Sequence, residues 1–164
     1  MANFEILSPY TEDDAAWLGK QGCLRPAVRP NNRMPTTADL RWALEAEDEF
    51  EFDYPAADDE ELHGMDRRGH GFAVSGFDWD RLESAPDESV AVRGSDVLLP
   101  VLIRLAGRCG QLFLYPDSGA PPIVIEAGLD AEAIAEVYAE ACDLDDGLAY
   151  FYEQMYGPDG LATE

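Results

Sequence analysis

Residues 95–126 read SDVLLPVLIRLAGRCGQLFLYPDSGAPPIVIE, the longest apolar commitment in the chain and the stretch on which its folding turns. Val97, Leu98, Leu99, Val101, Leu102, Ile103, Leu105 and Ala106 put apolar groups all round a helix, the pattern of a helix buried on most of its surface. Ser95 and Asp96 offer an N-cap and a negative charge at the positive end of the helix dipole. Pro100 is expected near the first turn, where a missing donor costs least, and Gly107 or Gly110 can end the helix. Gln111 to Tyr115 and Ile123 to Glu126 then read as two strands joined by the turn-rich PDSGAPP. The segment is a helix backed by a β-hairpin. It is not a membrane span, because the apolar run of 97–106 is about half the roughly 20 residues required and contains Arg104.

Working outward, 164 residues with 46% hydrophobic content suffice for one domain that buries about 70% of its unfolded surface. The expectation is one globular α+β domain over 1–164, with a short flexible tail from about 157. The start, MANFEILSPYTEDD, lacks a basic segment followed by an apolar one, so no secretory signal is read and the expected location is cytoplasmic. Cys23, Cys109 and Cys142 are odd in number and form no CxxC, and two of them sit in apolar surroundings, which points to buried free thiols.

The net charge of −23 sets the class of partner. Repulsion excludes phosphate backbones and anionic membranes, so neither nucleic acid nor membrane is expected. From Glu45 to Glu61 there are ten acids (Glu45, Glu47, Asp48, Glu49, Glu51, Asp53, Asp58, Asp59, Glu60 and Glu61) and no Lys or Arg. Within this run EFEFDY alternates Glu49, Glu51 and Asp53 with Phe50, Phe52 and Tyr54, the period of a half-buried strand with one face a row of carboxylates. After Arg108 the chain has 12 acids and no basic residue. Asp130 caps a helix there with Ile134, Val137, Tyr138 and Ala141 inward and Glu132, Glu136 and Glu140 outward at i, i+4, i+8. A last helix follows Asp145 and Asp146, with Leu148, Phe151, Tyr152 and Met155 on its stripe.

Other segments read as follows. Asn3 to Leu7 suits a short strand, and Thr11 with Glu12, Asp13 and Asp14 caps a helix to about Lys20. Residues 19–38 hold Lys20, Arg25, Arg29 and Arg33 without an acid, and Pro26, Pro30 and Pro35 keep the segment extended. A basic loop without glycine cradle or interleaved aromatics is expected to answer acids of its own chain. Thr36 or Thr37 caps a helix with Leu40, Ala43 and Leu44 inward; Trp42 falls outside that stripe, as a flank of the core or a binding anchor. HGMDRRGHG at 63–71 reads as a glycine-rich mobile loop whose His63 and His70, with Asp58, Asp59 or Asp66, match no metal-site spacing. Phe72 to Phe77 and Val90 to Val92 suit strands, and Trp79 falls among acids in a polar turn region.

No catalytic or cofactor motif emerges: the chain has no GxSxG, P-loop, GxGxxG or HExxH. An EF-hand register on CDLDDG fails, since Cys142 and Leu144 fall where oxygen ligands are needed. Neither a metal nor a cofactor is expected.

In its size, its acidity, the EFEFDY row and the cation-free C-terminal third, the chain resembles bacterial immunity proteins, the inhibitors that neutralise secreted toxins. That resemblance implies a one-to-one complex with a basic cognate toxin and no catalysis. The candidate contacts are Trp42, Glu49, Glu51, Asp53, Asp58, Asp59, Glu60, Glu61, Glu132, Glu136 and Glu140. The alternative is a small enzyme or ligand-binding protein whose pocket lies between the 111–126 hairpin and the C-terminal helices, using Tyr115, Asp117 and Glu126. Either way, strands around 49–54, 72–77, 90–93, 111–115 and 122–126 should form a largely antiparallel sheet, packed by the helix at 96–108 and two C-terminal helices.

Overall fold

The structure, a computed structural model, describes residues 5–54, 61–87, 89–116 and 121–156. The expected flexible tail therefore lies outside the described residues. In chain order the elements are β1 (Glu5–Pro9), α1 (Glu12–Lys20), α2 (Thr37–Glu45), β2 (Glu51–Asp53), β3 (Leu62–Met65), β4 (Gly71–Ser75), β5 (Val90–Arg93), α3 (Ser95–Cys109), β6 (Leu112–Pro116), β7 (Ile123–Ile125), α4 (Ala131–Cys142) and α5 (Gly147–Tyr156). The strands form one antiparallel sheet in the order β2-β3-β4-β5-β1-β6-β7. This is an α+β domain.

The core forms where the apolar alternation of the strands meets α3. Val74 and Val92, Leu7 and Leu114, and Leu112 and Ile125 are cross-strand partners, and all are buried with Leu98, Val101, Leu102 and Leu105 of α3. Helices α2 and α4 both pack against α3. Capping chemistry sets the helix starts: Thr11 with Asp14, and Thr36 with Asp39, each form a reciprocal capping box, and the Asp130 side chain accepts from Glu132 and Ala133.

Four details differ from the sequence expectation. The N-cap of α3 is Gly94, not Ser95 or Asp96; it adopts φ +68°, and a Cβ there would strike the Gly71 carbonyl oxygen. Pro100 lies in the interior of α3 rather than its first turn. It is exposed, so water can reach the carbonyl its ring leaves without a helical donor. Residues 62–65 are a strand, not part of a loop; only the turn at 66–70 lacks ladder pairing, and there Asp66 accepts from the Arg68 and His70 amides at 2.9 Å each. Strand β1 ends at Pro9 rather than Leu7, and it lies inside the sheet between β5 and β6, a sheet in which the sequence reading placed no N-terminal strand.

Gly64 explains why β3 hides from pattern reading. It pairs with Phe52 on one side and Phe72 on the other. A Cβ at Gly64 would collide with the Phe72 ring and lie 2.8 Å from the Glu51 carbonyl oxygen. The aromatic ring fills the space that an apolar side chain of β3 would have used.

Helix α1 lies on the second face of the sheet. Tyr115 is the cross-strand partner of Ile6, which alternates with buried Leu7, so both side chains point away from α3. The Trp17 ring packs edge-on against Tyr115, with centroids 5.8 Å apart.

Candidate functional site

Because Phe52 faces Gly64 and Phe72, the alternate residues Glu51 and Asp53 point to the opposite side of the sheet, beside Met65 and His63. Both acids are exposed, as is Glu49 just before the strand. The carboxylate row read in EFEFDY is thus present, but β2 covers only its last part. Glu61 behaves differently. It is half-buried and lies 3.2 Å from His63 Nε2 and 3.8 Å from Arg93 Nε, so its charge is answered within the chain. Asp58, Asp59 and Glu60 lie outside the described residues.

On α4, Glu132, Glu136 and Glu140 are all exposed along one helical face. Glu140 accepts the Tyr150 hydroxyl at 2.8 Å. Among the described residues no cation comes within ion-pair distance of Glu49, Glu51, Asp53, Glu132, Glu136 or Glu140. Seven of the ten arginines pair elsewhere: Arg29 with Glu126, Arg33 and Arg108 with Asp39, Arg41 with Glu45, Arg81 with Asp78, Arg93 with Glu61 and Arg104 with Glu47; Arg25, Arg67 and Arg68 have no ion pair among the described residues.

Asp39 is the hub of the cationic side. It is 5% exposed, takes the Arg33 guanidinium at 2.6 and 3.4 Å, and lies 3.8 Å from Arg108. Burial alone would raise this carboxyl, but the Arg33 bond and the backbone and hydroxyl of Thr36 outweigh it and bring it to about 2. The Cys109 thiol, 3.6 Å from the same carboxylate, is pushed up to about 12 by burial and by that negative charge. It is a poor nucleophile. Trp42 stands next to this hub, 37% exposed, with the Arg108 guanidinium 4.0 Å from its ring centroid. Trp79, read from the sequence as lying among acids in a polar turn region, is buried at 4% against Phe77 and Tyr54.

The acidic rows stand on different elements: Glu51 and Asp53 on the edge strand β2, and Glu132, Glu136 and Glu140 on α4, which packs against α3. Trp42 sits on α2 in the helical layer, on the other side of the sheet from Glu51 and Asp53. What shares their face is a set of exposed apolar side chains that charge reading passed over: Ile6 at 38%, Met65 at 45% and Tyr115 at 45% exposure. The signal was the alternation within EILSP, where a buried Leu7 turns Ile6 outward.

Concavities occur among the described residues. One of about 220 Å³ is lined by Pro26, Ala27, Arg29, Glu126 and Tyr156, and the Glu126 carboxylate there accepts from the Gln111 amide at 2.6 Å. It includes Glu126 from the pocket read in the sequence but not Tyr115, which packs on Trp17; Asp117 lies outside the described residues. Its volume is below the roughly 300–1,000 Å³ usual for ligand sites. Another, of about 450 Å³, is an open groove between α3 and the turn before α4, with the Arg104–Glu47 pair at its rim.

Among the described residues no three His, Cys, Asp or Glu side chains are grouped so as to hold a metal ion. No described helix is long and apolar enough to cross a membrane. Comparison with protein-family models, with curated proteins and with solved structures finds no match to this chain.

Proposed function

We propose that this chain is an acidic protein-binding inhibitor of the immunity-protein kind, which neutralises a basic cognate toxin by docking onto its cationic surface or active site in a one-to-one complex. One observation carries the reading: seven arginines, Arg29, Arg33, Arg41, Arg81, Arg93, Arg104 and Arg108, are answered by Asp39, Glu45, Glu47, Glu61, Asp78 and Glu126, while Glu49, Glu51, Asp53, Glu132, Glu136 and Glu140 remain exposed and without a cation among the described residues. Like charges left unanswered on a surface cost stability in the free protein and are relieved by a partner that brings Lys or Arg.

Affinity purification from the native host, with the product of the neighbouring gene examined first, tests the reading. A stoichiometric basic protein is the expected outcome. A retained small molecule in its place would favour the ligand-binding alternative at the Glu126 cavity. With the partner in hand, stopped-flow association between about 50 and 500 mM salt shortens the Debye length about threefold. The on-rate should fall much more than the off-rate rises. Binding indifferent to salt would remove charge as the recognition device.

A further inference from the structure

Resting on the reading just given, we infer that the docking surface is the part of the sheet face turned away from α3 that α1 leaves open, and that its occupant is a cationic protein segment with apolar side chains between its Lys or Arg residues. The strand register assembles this face from distant parts of the chain. Ser75, Ala91, Ile6 and Tyr115 are successive cross-strand partners over β4, β5, β1 and β6. Glu51 and Asp53 stand on the same face at the β2 edge, opposite Met65 and His63.

A solvated face of an antiparallel sheet normally carries polar side chains. Here Ile6, Met65 and Tyr115 are 38%, 45% and 45% exposed, and the Trp17 ring against Tyr115 holds that anchor in place before any partner arrives. The charge at the border is negative. Glu51 and Asp53 have no ion pair among the described residues; of the nearby cations Arg93 already faces Glu61, and Arg67 and Arg68 stand beyond the strand in the 66–70 turn. A complementary partner therefore brings positive charge to the β2 side and apolar groups to the β1 and β6 side.

Dimensions agree with a single footprint. From β2 to β6 is five strand spacings, about 24 Å, and a standard interface of about 800 Å² per partner is about 28 Å across. The other two candidates carry less of this combination. The acids of α4 have one large exposed apolar side chain beside them, Leu144 just beyond the end of the helix. Trp42 already carries Arg108 over its ring, in a cationic setting. Interfaces draw most of their energy from buried apolar and aromatic anchors, with charges at the rim setting choice of partner.

Selection of a phage-displayed library of random linear peptides on the immobilised protein tests the inference, with an unrelated acidic protein as the background control. Enriched peptides should combine Lys or Arg with aromatic or aliphatic residues. Their affinity should drop at least about tenfold in an Ile6→Ser/Tyr115→Ser variant and in a Glu51→Gln/Asp53→Asn variant, and stay within about twofold in Trp42→Ala and in Glu132→Gln/Glu136→Gln/Glu140→Gln. The charge variant alters only exposed side chains, so it decides the matter even if the apolar variant loses its circular dichroism signature. Cationic peptides that tolerate the sheet variants but are lost in the α4 or Trp42 variants overturn this surface and leave acidic recognition standing. Enrichment of no cationic peptide above background overturns both.

Discussion

Tyr152 donates its hydroxyl proton to the Pro122 carbonyl at 2.6 Å. One turn further along α5, Tyr156 does the same for Val124. Pro122 and Val124 are alternate residues, so their carbonyls leave the edge strand β7 in the same direction, and the helix closes an edge that would otherwise offer free acceptors. At the opposite edge, β2 is three residues long and its Glu51 and Asp53 are exposed, which discourages pairing by shortness and charge.

Removing either hydroxyl leaves a buried carbonyl without its donor. Tyr152→Phe and Tyr156→Phe should each lower unfolding stability by about 1–2 kcal/mol, read from urea denaturation, and the double variant should aggregate sooner on heating. Variants as stable as the parent would mean that α5 holds β7 by ring packing alone.

Asp39 makes stability depend on acid. Its folded value of about 2 lies below the ordinary 3.8, so the stability it contributes is complete above about pH 4 and is lost as pH falls through 2. The shift corresponds to about 2 kcal/mol. Urea midpoints followed from pH 4 down to 2 should fall less steeply in Asp39→Asn than in the parent. Parallel slopes would move the acid sensitivity elsewhere.

At Gly64 the obstacle is the Phe72 ring on one side and the Glu51 carbonyl on the other. Gly64→Ala is expected to cost about 1–3 kcal/mol as an overpacked site. A double-mutant cycle with Phe72→Leu should recover at least about 0.5 kcal/mol of that loss, because the smaller side chain yields where the ring does not. Additive losses would place the strain at the carbonyl.

Glu132, Glu136 and Glu140 repel one another at i, i+4 by about 0.2–0.5 kcal/mol per pair. Replacing Glu136 and Glu140 with Gln relieves both pairs and should raise the melting temperature by about 1–2 °C, while Glu132 stays, because the first turn of α4 favours a carboxylate. The bond from the Tyr150 hydroxyl survives in Glu140→Gln, since the new side-chain amide keeps an oxygen that accepts. A lowered melting temperature in calorimetry would show that a cation answers this face in solution.

His63 and His70 are exposed and, among the described residues, reach Glu61 and Asp66. Alanine at either position should change stability by no more than about 0.5 kcal/mol, and the purified protein should hold no stoichiometric zinc by elemental analysis. Zinc near one per chain would establish a site at this hairpin.

Whatever depends on near neighbours in the chain was legible before any folding was known. The capping boxes at Thr11 and Thr36, the Asp130 cap, the buried stripe of α3 and the alternation around Phe52 all follow from periods and hydrogen bonds within a few residues. Their outcome in tertiary space was not legible. Pairing between distant segments put β1 between β5 and β6, let the Phe72 ring stand over Gly64 and so made a strand of residues that show no alternation. The same pairing gave Glu61 to Arg93 and His63, buried Trp79, and drew Arg33 and Arg108 onto Asp39 from two other parts of the chain. It also decided which acids keep company with exposed apolar groups. Composition counts Glu51 and Glu136 alike, but cross-strand register sets Glu51 beside Met65 on the face that carries Ile6 and Tyr115, whereas a helix face brings Glu136 only its own like-charged neighbours.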